Sequence, residues 1–192
     1  MNKKLAAALS GGAVLVLALS GCSGEGDADK FSVDDWAKKY CDQAQPQIKK
    51  QFDAEQLIRS TASDGKPADI QAADSKAFQD LADVNKALAT AFRGAGTPPV
   101  DTGEQLVKDA AAELDANSKS YLDLKKQIDA LNAKDQQKFA DGLQPVAAGL
   151  EKIEKNQSAR NKLRKAETGN AMAKQPGCKP LKAPAPSGGS AA

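Results

Sequence analysis

Histidine is absent from the chain. With it go Ser-His and Cys-His nucleophilic pairs, the usual zinc ligand sets and the side chain that most often moves protons near neutral pH. Aromatic residues make up only 4% of the sequence, with Trp36 its one tryptophan. A core must therefore be built mainly from Leu, Ile, Val and Ala, which favours closely packed helices over a β-sandwich. No alternating strand pattern occurs, and no glycine-rich loop opens a helix after a strand to cradle a phosphate. Paired acids such as Asp34 and Asp35 read as partners of a helix N-terminus, because no third ligand converges on them. A glycosidase-type carboxylate pair would need two acids facing across a cleft, and no spacing sets one up. The chain is expected to be non-enzymatic, with no cofactor and no metal.

Charge excludes a further class. The 27 basic and 25 acidic side chains almost cancel, and without Lys3 and Lys4 they balance, so generic nucleic-acid binding is not expected. The balance hides an asymmetry. Between Lys152 and Lys182 nine basic residues face only Glu154 and Glu167, a local net of +7. Cations gathering near a helix C-terminus would account for this; so would a face turned toward anionic lipid.

What is present begins with an address. Lys3 and Lys4 precede an apolar run from Leu5 to Leu19 that is broken only by Ser10, Gly11 and Gly12. This is a positive n-region and an h-region, too short for a comfortable transmembrane helix of roughly 20 residues. The run ends in Leu19, Ser20, Gly21 and Cys22, which resembles the lipobox of bacterial lipoproteins. The resemblance implies that residues 1–21 are a cleaved signal, that Cys22 receives a diacylglyceryl group, and that the mature protein is held by membrane lipid on the extracytoplasmic face of the cell membrane. Two acyl chains hold a protein far more firmly than one, each buried methylene contributing about 0.8 kcal/mol. Residues 22–31, small and polar after Cys22, form a flexible tether. The Ala- and Gly-rich body is similar in composition and layout to small secreted and lipoprotein families of high-GC Gram-positive bacteria.

With Cys22 committed to lipid, Cys41 and Cys178 remain, an even pair in an oxidising compartment and the expected disulfide. Two buried free thiols are the alternative.

Residues 32–182 show four helical segments. Ser32 caps the first, in which Val33, Trp36, Ala37, Tyr40, Cys41, Ala44 and Ile48 recur at helical spacing. It is expected to run to about Ser60, with Pro46 kinking or interrupting it. After a turn at Ser63–Pro67, the second segment carries Ile70, Phe78, Leu81, Val84, Leu88 and Phe92, with Gly94 as its C-terminal cap. Thr102 is the expected cap of the third, Gln105 its capping-box partner. The third segment's seam is Val107, Ala110, Leu114, Asn117, Tyr121, Leu124, Ile128 and Leu131, alternating by three and four. The fourth continues the alternation from Phe139 through Leu143, Val146, Leu150, Ile153, Gln157 and Arg160 to Arg164, with Gly142 and Pro145 bending its first third. The pattern fades beyond Gly169, and residues 183–192, rich in Pro, Ala, Gly and Ser, are expected to be disordered. The expected fold is all-α: an antiparallel up-down four-helix bundle closed by one disulfide. In that arrangement the start of helix one and the end of helix four share one end, which brings Cys41 to Cys178.

Four polar or aromatic positions are candidate ligand-lining residues. Trp36 and Tyr40, one turn apart, form either core or an aromatic wall. Asn117 and Gln157 interrupt apolar seams, where such residues either fix register or meet a ligand. Arg160, Lys162, Arg164 and Lys165 are candidates for a membrane-facing patch near the tethered end. The functional expectation is a membrane-anchored, non-catalytic helical interaction or scaffold module of the cell envelope, partnered by lipid through acylated Cys22 and by another envelope protein. The alternative is a carrier with a small-ligand cavity between its helices.

Overall fold

The computed structural model describes residues 31–62 and 65–181. The lipobox with Cys22, the signal, the tether before Phe31 and the 183–192 tail lie outside the described residues. The elements are α1 (Val33–Ala62), α2 (Pro67–Ala95), α3 (Gly103–Asp129), α4 (Gln136–Lys155), α5 (Ser158–Lys165), α6 (Glu167–Lys174) and a 3-10 turn at Pro176–Cys178. The fold is all-α, as its composition implies, and the described residues include no strand.

Ser32 caps α1 reciprocally. Its Oγ accepts from the Asp35 N–H at 3.1 Å, and the Asp35 carboxylate accepts from the Ser32 hydroxyl at 2.6 Å and backbone N–H at 3.0 Å. The helix continues through Pro46 without interruption. Pro46 and Asp42 are both exposed, so water can take the Asp42 carbonyl that the missing proline N–H leaves free. Pro67 opens α2, where its fixed φ suits the first helical position.

Two expected caps are corrected. Gly94 lies inside α2, which ends at Ala95; the left-handed residue is Gly96, with φ 85°. Thr102 does not cap α3 through its side chain: it sits at φ 58°, a left-handed backbone rather than the extended one that presents a cap oxygen to the first turn. Gln105 bonds Asp109 instead. The cause is a tight loop. Pro98 is almost fully buried, and its carbonyl accepts from the Val100 N–H at 2.8 Å. That carbonyl lies so near Gly103 that any Cβ there would overlap it.

The largest correction concerns the expected fourth helix. One helix from Phe139 to Arg164 does not form. Pro145 stays within α4, and the chain breaks later, at Asn156 and Gln157, before α5 and then α6. Beyond Gly169 the chain is still helical, with Ala171 and Met172 buried; eight residues are too few to display a period. Gly169 allows α6 to start hard against α5, since a Cβ there would overlap the Arg164 carbonyl.

Neighbouring helices meet through particular pairs. The Trp36 indole N–H donates to the Gly96 carbonyl at 2.8 Å, joining α1 to the end of α2. Gln71 on α2 donates to the Ile128 and Leu131 carbonyls, each at 2.8 Å, around the end of α3. Gly149 lies against Leu124 and Gly142 against Leu131, both so closely that a Cβ would overlap the leucine; α4 packs through these gaps on α3 and on the turn that follows it. α6 and the 3-10 turn pack on the first half of α1, where Lys174 pairs with Asp34 at 3.3 Å. There Cys41 and Cys178 form the disulfide, their Cα atoms 5.1 Å apart and 137 positions apart in sequence.

The apolar interior is in two parts. One surrounds the disulfide and contains Trp36, Tyr40, Leu88, Phe92, Leu114 and Leu163; the other, around the far half of α3, contains Phe78, Leu81, Leu124, Ile128, Val146 and Ile153. Between them stand buried polar groups, Asn85 on α2 and Glu113 and Asn117 on α3.

Two outcomes follow from this packing. Replacing both Cys41 and Cys178 by serine releases a long loop, and the denaturant midpoint is expected to fall by the equivalent of up to about 5 kcal/mol. Asp74 on α2 is almost fully buried, and burial pushes its carboxyl up to about 6. The folded chain then holds the Asp74 proton more tightly than the unfolded chain does. That contribution to stability is fully present below the ordinary value of 3.8 and is lost as pH rises through about 6. Asp74→Asn is expected to melt above the wild type at pH 7.5 and to approach it at pH 4, as read by thermal circular dichroism.

Candidate functional site

The polar groups between the two apolar cores lie beside a cleft of about 360 Å³. Its walls come from α1 (Gln51, Glu55, Ile58, Arg59), α2 (Leu81, Asn85), α3 (Asn117, Tyr121) and α4 (Leu150, Ile153, Glu154); Gln157 and Arg160 close it from the α4–α5 junction. Every long helix contributes, so the cleft is a feature of the whole fold. It lies at the lower end of the size range of small-molecule sites, about 300–1,000 Å³.

One carboxylate builds the junction. Glu113 on α3 is 7% exposed. One of its oxygens accepts from Arg160 Nε at 2.7 Å and the other from the Ala159 backbone N–H, also at 2.7 Å. The N–H groups that open a helix lack partners within it. At α5 the residue before the helix, Gln157, makes no side-chain cap; Glu113 serves one of those groups across the core. A buried charge is tolerated when paired and hydrogen-bonded, and Glu113 is both.

Asn117 sits a turn farther along α3 and is 1% exposed. Its Oδ1 accepts from Asn156 Nδ2 at 3.0 Å, which ties the break after α4 to α3. Its Nδ2 is the one buried side-chain polar atom without a partner among the described residues. Asn85, which also lines the cleft, donates its amide to the Leu81 carbonyl at 2.8 Å within its own helix. Tyr121 has its hydroxyl pushed above the usual range by burial and by nearby Glu55, while Arg160 pulls the other way. The phenol therefore remains protonated at neutral pH and can donate.

The sequence candidates divide between this cleft and the core. Asn117, Gln157 and Arg160 all line the cleft. Trp36 is fully buried, with its N–H on Gly96, and takes the core alternative. Tyr40 stacks on Phe92 with ring centroids 4.0 Å apart, and one side of that pair lines a separate apolar groove of about 480 Å³. That groove also touches Leu163, Arg164 and Met172. Of the four proposed membrane-facing cations, Arg160 turns inward to Glu113, while Lys162, Arg164 and Lys165 are exposed on α5 around buried Leu163.

Sequence reasoning passed over Asn85 and Glu113. Asn85 lay within reach, because it falls between Leu81 and Leu88 in the apolar phase of α2, the same signal that marks Asn117 on α3. Glu113 had no local sign; it reads as one more surface acid until Arg160 and Ala159 are placed against it. Among the described residues no group of three potential ligands is placed to hold a metal ion, and no helix is long and apolar enough to cross a membrane. Comparison with protein-family models, curated proteins and solved structures finds no match, so the functional reading rests on the geometry of the cleft.

Glu113 should behave as a clamp. Glu113→Ala strands a partly buried guanidinium and an N–H at the start of α5, and is expected to cost about 2–3 kcal/mol in denaturant unfolding. Glu113→Gln can still accept from Ala159 and should lose roughly half as much; equal losses would assign the whole effect to the charge.

Proposed function

We propose that the chain is an extracytoplasmic lipoprotein, anchored through acylated Cys22, whose helical domain is a non-catalytic module that holds a small ligand in the cleft between α1 and α4. Its helices take the antiparallel up-down arrangement of a four-helix bundle, with the fourth position shared among α4, α5 and α6. The observation that carries the reading is the cleft itself, where a nearly inaccessible amide, Asn117, keeps a donor without a partner among the described residues. Such a buried donor costs about 1–3 kcal/mol if it stays unmet, and a bound molecule with an acceptor offsets that cost. The lipobox residues Leu19 to Cys22 support the anchor.

A second reading, an interaction surface for another envelope protein or for anionic headgroups, is favoured by Lys162, Arg164 and Lys165, which stand exposed on one short helix. Each basic group near such a surface contributes about 1 kcal/mol.

Both parts of the proposal can be checked on the full chain expressed in a lipoprotein-processing bacterium. Clickable palmitate is expected to label the wild type and not Cys22→Ser. Native mass spectrometry of gently extracted protein is expected to show a small-molecule adduct that Gln157→Trp, which fills the cleft mouth, removes. Identical adduct-free spectra for both proteins would discard the carrier reading in favour of the surface one.

A further inference from the structure

The hydrogen-bonding inventory of the cleft narrows what can occupy it. This inference rests on the ligand-holding reading and concerns the chemical class of the ligand. The two guanidinium groups of the cleft already face carboxylates: Arg160 bonds Glu113 at 2.7 Å, and Arg59 lies 3.7 Å from Glu55. An incoming anion would find no uncompensated cation on these walls, and Glu55 and Glu154 would repel it. Asn117 Nδ2 asks for an acceptor, which a simple alkylammonium does not have. Glu154, exposed on the α4 wall, is acceptor-only when ionised and asks for a donor. The Tyr121 hydroxyl can serve as either.

A hydroxyl meets all of these needs, because it both donates and accepts. A molecule carrying several hydroxyls around a small apolar frame can donate a hydrogen bond to Glu154 and accept one from Asn117. The walls supply the other half of such a site. The Tyr121 ring, Ile58, Leu150 and Ile153 offer an apolar strip beside the polar groups, against which the C–H face of a ring can lie.

We infer that the cleft between α1 and α4 is a binding site for a small, uncharged, polyhydroxylated ring, a single saccharide unit or a pair of them, with Asn117 and Glu154 as two of its hydrogen-bonding groups. Asn117 is the specificity-determining donor, and Glu154 is the acceptor at the rim.

The test is titration of the isotope-labelled full chain in detergent micelles, after removal of endogenous ligand, with glucose, N-acetylglucosamine and maltose. Glycine, ethanolamine, acetate and inorganic phosphate are the comparison probes. At least one of the sugars is expected to shift the Asn117 side-chain amide resonances at millimolar concentration or below, while the four charged probes do not. Glu154→Gln, a change at an exposed residue, should retain the melting temperature and weaken sugar binding about tenfold. Asn117→Leu should abolish binding; if it fails to fold, the Glu154→Gln arm and Gln157→Trp still decide the outcome. Amide shifts with glycine or ethanolamine and with no sugar would overturn the saccharide assignment while leaving a ligand-holding cleft. No shift with any probe, together with adduct-free native spectra, would overturn both the assignment and the reading beneath it. Sugar binding unchanged in both Glu154→Gln and Gln157→Trp would place the sugar elsewhere and overturn the site.

Discussion

The bond pattern of Glu113 governs much of the molecule. A carboxylate withdrawn from water must be met from several sides, and this one is met by a guanidinium and a backbone N–H from the segment that follows α4. Both partners come from residues 159 and 160, just past the end of α4 at Lys155. The chain breaks at Asn156, which Asn117 ties to α3, and it restarts as α5. The redirected chain then carries α6 and the 3-10 turn back to α1, where Cys178 reaches Cys41. The disulfide closes a path that the buried carboxylate has already set.

The same residues divide the interior. Above and below the polar layer the helices pack on apolar side chains, the Trp36, Tyr40 and Phe92 rings on one side and Phe78 with Leu124 and Ile128 on the other. Within the layer the groups are charged or amide-bearing, and a cleft opens beside them. Such a layer is costly in stability, since each amide or carboxylate needs its own partner where an apolar side chain would need none. Register and the position of the α4–α5 break are one return on that cost, and a polar recess reached from solvent is the other.

Small residues set the distances. Gly149 lets α4 approach Leu124 of α3 and Gly142 lets it approach Leu131 just beyond that helix, Gly103 lets α3 begin beneath the Pro98 carbonyl, and Gly169 lets α6 turn tightly away from α5. With few aromatic rings available, close backbone approach does much of the filling that large side chains would do elsewhere. The alanines buried along α2, among them Ala77, Ala82, Ala89 and Ala91, serve the same purpose.

The periodic spacing of Leu, Ile, Val and Ala was enough to determine that the chain is helical, roughly where α1, α2 and α3 lie, and which face of each turns inward, because these are consequences of local geometry. The Ser32 cap was legible for the same reason, being formed within four residues. The pairing of Cys41 with Cys178 followed from cysteine number and an expected topology, and Asn117 and Gln157 stood out as polar breaks in apolar seams. The left-handed Thr102 and the break at Asn156 were not legible, because each lies beside a tight loop or a group distant in sequence: the buried Pro98 and Glu113. An apolar stripe through Ile153, Gln157 and Arg160 is compatible with one long helix as far as local propensity goes. Only when α3 lies alongside does the desolvation of a single carboxylate outweigh the few hydrogen bonds of helical continuity, and the tertiary structure alone decided that the chain should turn there and leave a cleft.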